Sequence, residues 1–149
     1  MKESVGFTFL FNFFATFLII LFFALISIMN YMKAYKVNSQ ITATIEKYEG
    51  YNSAARDEIV STLNSLGYRK SNPSGCKDRE GMTALVNTEL GINNYDVCIY
   101  RPKNKVKAGD NIKFGVTTYI YFDIPIINSL VKIPVYTTTD SIYVFEEAD

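Results

Sequence analysis

Residues 7–29 read FTFLFNFFATFLIILFFALISIM, and the reading of this stretch decides the architecture. It lies between Glu3 and Lys33, is dominated by phenylalanine, leucine and isoleucine, and holds only Thr8, Asn12, Thr16 and Ser27 as polar interruptions. As a helix it extends about 35 Å, against a hydrocarbon core of roughly 30 Å, so it predicts a membrane-spanning segment. A secretory signal peptide has a shorter apolar region followed by a small-x-small cleavage site; this run instead passes into Met29-Asn30-Tyr31-Met32-Lys33 and predicts a retained span. A buried helix of a soluble core is rarely apolar all round over such a length. Asn12 is the odd residue, because an amide facing lipid has no partner. It reads either as a helix–helix contact or as a residue close enough to the start of the span to reach the interface.

Outward from the span, the helical period continues through Val37, Ile41, Ile45 and Tyr48, with Lys33, Lys36, Gln40 and Lys47 largely elsewhere on the wheel. One rod of about 60 Å is expected from Phe7 to Tyr48, half in lipid and half packed on a domain, ending at Gly50. A second helix follows, with Asn52 or Ser53 as N-cap, Asp57 and Glu58 complementing its positive end, Ile59, Leu63 and Leu66 as its apolar face, and Gly67 as its stop. Residues 69–81 are rich in Lys, Ser, Asn, Pro and Gly and read as an exposed loop carrying Cys76. Met82, Leu85, Val86 and Leu90 fit a short helix closed by Gly91.

Beyond Gly91 the period changes to two. Residues 95–101 are a strand candidate, Pro102-Lys103-Asn104-Lys105 a turn, and residues 112–124 a strand that alternates Ile112, Phe114, Val116, Thr118, Ile120 and Phe122 inward. Lys113, Thr117, Tyr119, Tyr121 and Asp123 occupy its other face. A third candidate, residues 131–145, is broken near Thr139-Asp140-Ser141 and limited in its pairing by Pro134. The expected fold is α+β. Residues 1–6 form a short tail, 7–30 the transmembrane helix, and 31–149 a small domain of one or two helices on a three- to four-stranded antiparallel sheet.

The 149 residues leave room for a single small core beside the span. Lys plus Arg (15) balances Asp plus Glu (15), so no net field points to nucleic acid. Histidine and tryptophan are absent, which removes the commonest general base and the commonest nitrogen metal ligand. Cys76 and Cys98, an even count beside a span, suggest a disulfide and an extracytoplasmic domain; two unrelated cytosolic thiols are the alternative. Positive-inside counting points the other way, since Lys33 and Lys36 follow the span while only Lys2 and the terminal amine precede it. The extracytoplasmic reading is preferred, because so short a tail cannot hold a large charge difference.

This layout of a short tail, a helix continuing out of the membrane, a small helix and an antiparallel sheet resembles the type IV pilin-like proteins, and most of all the TadE-like minor pilins and pseudopilins of tight-adherence systems. Gly6-Phe7-Thr8-Phe9-Leu10 is similar to the start of a type IV prepilin, where a peptidase cuts between glycine and phenylalanine. The leader would be residues 1–6 with one lysine, and Phe11 stands where the family carries a glutamate. The resemblance implies a structural subunit of a pilus or secretion machinery, with membrane lipid and other pilin-like subunits or secretion-system membrane proteins as partners.

No Gly-rich phosphate loop, HExxH or GxSxG occurs, and neither an enzymatic role nor a cofactor is expected. Asp57-Glu58 and Glu146-Glu147 read as dipole complementation and a solvated tail. Residues 124–131, IPIINSLV, are unusual because a connection between strands is normally polar. The segment is either core or contact surface. Gly6, Phe7, Asn12, Ile126, Ile127 and Leu130 are therefore the candidate assembly contacts, with a membrane-anchored binding module as the alternative function.

Overall fold

The computed structural model describes residues 2–71, 76–85, 89–104, 106–124 and 129–145. Its first element, α1 (Lys2–Lys47), is a single helix of 46 residues. No proline or glycine lies between Phe7 and Glu49, so nothing breaks the backbone ladder where the apolar run gives way to Lys33 and Lys36. The two halves of α1 meet different surroundings. None of its most apolar stretch is buried, and that stretch is long and apolar enough to cross a membrane. Val37, Ile41 and Ile45, by contrast, are fully buried in the core of the domain.

α1 ends in two backbone bonds, Glu49 N–H to the Glu46 carbonyl at 3.0 Å and Gly50 N–H to the Ile45 carbonyl at 2.9 Å. This ending needs a left-handed residue, and Glu49 at φ 52° fills the place, one residue before the expected Gly50. α2 (Ser53–Ser65) opens with the Asn52 side chain accepting from the Ala55 N–H at 2.9 Å. It closes on Gly67 at φ 59°, which turns Tyr68 back into the core with its N–H on the Leu63 carbonyl. Ala55, Ile59 and Leu63 are its buried face. Asp57 and Glu58 lie beyond the first turn, which corrects their expected role. Glu58 instead accepts from Lys47 Nζ at 2.8 Å and Tyr48 OH at 2.7 Å, and so fastens α2 to the end of α1.

The main sheet has the order β1-β2-β4-β5, all antiparallel, built from β1 (Met82–Ala84), β2 (Cys98–Pro102), β4 (Gly115–Ile124) and β5 (Ser129–Thr138). A second, two-stranded ribbon pairs β3 (Asn111–Ile112) with β6 (Ile142–Tyr143). The long strand expected from Ile112 is therefore split. Phe114 breaks it by donating its N–H to Thr139 Oγ1 while its carbonyl accepts from the Thr139 N–H. The expected helix at Met82 is not formed; residues 82–84 are an edge strand paired with residues 100–102. An apolar spacing over so few residues does not separate helix from strand, and the partner β2 decides.

One face of the sheet packs on the helices. Ile99 lies across from Val116, and with Val97, Val37, Ile41, Ile45, Ile59 and Leu63 they make one core. Val116, Thr118 and Ile120 point inward as their alternation predicts. Pro134, paired with Tyr119, has no N–H to give, which blunts the free edge of β5 against further strands. The fold is thus α+β, a long apolar helix extended into a small sheet domain.

Candidate functional site

Asn38 sits on the buried face of α1 and is wholly inaccessible, although its side chain is polar. Its Nδ2 lies 2.9 Å from the Val135 carbonyl and 3.2 Å from Thr118 Oγ1, and Thr137 Oγ1 donates to its Oδ1. Thr118 Oγ1 also donates to the Ala34 carbonyl at 3.3 Å. These bonds lock the helix to β4 and β5 in one register, because sliding by a turn would break them all at once and leave the buried Asn38 amide without its partners. Hydropathy periodicity had no means of finding Asn38, which reads there as one polar residue among several.

The second face of the sheet, expected to be polar, is largely covered. Cys76 and Cys98 are bonded, with Cα atoms 5.5 Å apart, and the bond holds the 76–82 segment over β2 and β4. Arg79 extends under this segment, its guanidinium 4.0 Å from the centre of the Tyr136 ring and within 3.5 Å of Thr117 Oγ1. Tyr136 meets Tyr100 edge to face at 6.2 Å. The ring passes so close to Gly115 that an added Cβ would lie 2.8 Å from the Tyr136 hydroxyl, so a larger residue there would displace the ring.

A polar knot lies nearer the span. Asp96 is 2% exposed and accepts from Tyr121 OH at 2.8 Å, while Lys132 Nζ stands 2.5 Å away as its ion partner. The Tyr68 hydroxyl accepts the Tyr119 N–H at 2.9 Å and lies 3.4 Å from the Asp96 carbonyl. Burial pushes the Tyr68 phenol up to about 12, and burial together with the Asp96 carboxylate raises that of Tyr121. These groups are ordered and paired, with no nucleophile set against a base. Among the described residues, no group of three or more His, Cys, Asp or Glu is placed to hold a metal ion.

Two of the open surfaces among the described residues bear on function. The first is the N-terminal half of α1, where Phe7, Asn12 and their neighbours are exposed and Gly6 has no atom near its Cβ position. The Asn12 side chain is exposed, and its carbonyl accepts from Thr16 Oγ1 at 2.8 Å. The second is a cleft of about 320 Å³ at the end of α1 far from the apolar run, between Tyr51, Leu90, Phe114 and Phe145. Of the other contact candidates, Ile126 and Ile127 lie outside the described residues, and Leu130 is described only by its backbone register opposite Asp123. Comparison with protein-family models, with curated proteins and with solved structures finds no match to this chain.

Proposed function

We propose that the chain is a structural subunit of pilin-like type, anchored in the cell membrane with its domain on the extracytoplasmic side. Its exposed half-helix packs against other subunits of a tight-adherence-type pilus or a related secretion machinery. The observation that carries this reading is the continuity of α1: the same helix offers an apolar rod on one half and forms the spine of the domain on the other. A tether would need no such union. The prepilin-like Gly6-Phe7-Thr8 start and the exposed Asn12 side chain support the same reading, and the Cys76–Cys98 bond supports an oxidising compartment. The cleft beside Tyr51 and Phe145 favours a second reading, an anchored binding module with no filament role.

The test is to replace residues 5–29 with an unrelated transmembrane helix of equal length. The domain is expected to stay folded and membrane-bound while crosslinking and co-purification of partner subunits in the native cells are lost. Equal recovery of partners would sink the subunit reading and leave the binding module.

A further inference from the structure

We propose that the span-proximal end of the domain is seated in the bilayer interface: the paired ends of β4 and β5 enter it beside α1, and Lys36 and Arg69 bind anionic phospholipid headgroups around it. The inference rests on the membrane span and is independent of whether the chain assembles with others.

The height of these strand ends follows from contacts with α1. Thr137 meets Asn38 and the Asp140 N–H meets Glu46, so eight residues of helix match three of strand. That is about 10–12 Å on each, which means that β5 and its partner β4 run alongside α1, with β4 descending toward the apolar run. From Thr118 the strand continues to Phe122, paired with Val131, and ends at Ile124, paired with Ser129. The step to Phe122 is about 13 Å along the strand, which places the Phe122–Val131 pair beside the last turn or two of the apolar run even when some divergence is allowed. Thr137 and Asn38 fix which face of β5 looks toward α1, and by alternation Val131 and Ile133 share it. Both are apolar and exposed, at 40% and 44%. At this height on this side of the protein, the surrounding medium is lipid.

The charges fit a lipid surface. Lys33 reaches the Gly67 carbonyl at 3.2 Å and the Arg69 guanidinium lies 5.3 Å from the centre of the Tyr121 ring, while the charge of Lys132 is balanced by the buried Asp96. Lys36 follows Lys33 on α1, exposed like Arg69. β4 and β5 carry a single carboxylate in their sequences, Asp123, while Glu46, Glu49 and Asp140 lie at the opposite end of the domain. A chain with no net charge thus turns basic groups toward the membrane. Tyr31 and Tyr35, exposed and stacked at 6.4 Å, add aromatic rings where α1 leaves the apolar run.

The experiment uses the full chain reconstituted in vesicles of phosphatidylcholine, with or without phosphatidylglycerol, and one fluorophore attached through Val131→Cys or through Thr138→Cys at the other end of β5. The Val131 probe is expected to be quenched by brominated lipid and shielded from aqueous acrylamide, with the reverse at Thr138. Phosphatidylglycerol should increase lipid quenching at Val131, and Lys36→Glu with Arg69→Glu, both at exposed positions, should remove that increase. A Val131 probe open to acrylamide in both compositions would overturn the seat. One shielded from acrylamide and from lipid alike would replace lipid with a protein neighbour. Lipid quenching unaffected by phosphatidylglycerol would overturn headgroup binding.

Discussion

Thr137 donates its hydroxyl to the side-chain carbonyl of Asn38 across 99 positions of sequence, and this bond ties the last long strand to α1 inside the core. Replacing Asn38 with alanine takes a partner from the half-buried Thr137 hydroxyl and Val135 carbonyl and leaves the buried Thr118 hydroxyl with its bond to the Ala34 carbonyl alone. The expected cost is about 2–4 kcal/mol, from one lost buried network plus a small cavity. Chemical denaturation of the detergent-solubilised chain measures it, and a change below about 0.5 kcal/mol, the range of ordinary surface substitutions, would show that the network contributes nothing.

Lys132→Met removes the cation from Asp96, which is 2% exposed. Tyr121 alone then faces a buried carboxylate. Because Lys132 keeps about a third of its side chain in solvent, the loss should fall near the low end of the range for a broken buried pair, about 2–3 kcal/mol. Lys132→Met combined with Asp96→Asn should recover part of it, and a double variant no more stable than the single one would count against the pairing.

Glu49 holds a left-handed conformation that costs an L-residue with a side chain about 1 kcal/mol. Glu49→Gly is accordingly expected to stabilise the domain by about 0.5–1 kcal/mol, since glycine occupies the same conformation without strain. Thermal unfolding of the two proteins side by side decides it. A lower midpoint in the glycine variant would mean that the Glu49 side chain has a role that outweighs the strain.

Tyr68 links pH to stability at the alkaline end. Its folded-state value is raised from 10.0 to about 12, so the folded protein holds the phenol neutral where the unfolded chain gives up its proton. This contribution is complete below pH 10 and is lost as pH rises toward 12. Tyr68→Phe, measured by denaturation across that window, should be less stable at neutral pH, for want of the acceptor for the Tyr119 N–H, yet lose less on going alkaline. Parallel pH profiles for the two proteins would refute the assignment.

The elements that could be read from sequence are those whose signal is long. The apolar run, the i, i+4 series from Val37 to Ile45 and the alternation from Phe114 to Ile120 each repeat often enough to define one structure. Cys76 and Cys98 were legible as a pair because there were only two. Residues 82–84 were not, since three residues take their conformation from the strand beside them. Nor was the covered second face: Thr117 looks solvent-facing by alternation and is buried only because a disulfide brings Arg79 over it. As for the candidate site, Phe7 and Asn12 are exposed on α1, whereas Asn38, the residue that fixes the helix to the sheet, carries a signal only once its partners are in place.

The parallel course of α1 and β4 also determines how the domain bears load. Tension applied to the apolar half of α1, along its axis, pulls in the plane of the helix–sheet contact and shears it; it does not peel one residue off at a time. The bonds at Ala34 and Asn38 and the apolar packing of Ile41 and Ile45 then resist together, and no flexible linker lies between the point of pull and the core. Torque about the same axis is likewise delivered to the sheet without slack. A domain hung in this way turns when its anchor turns.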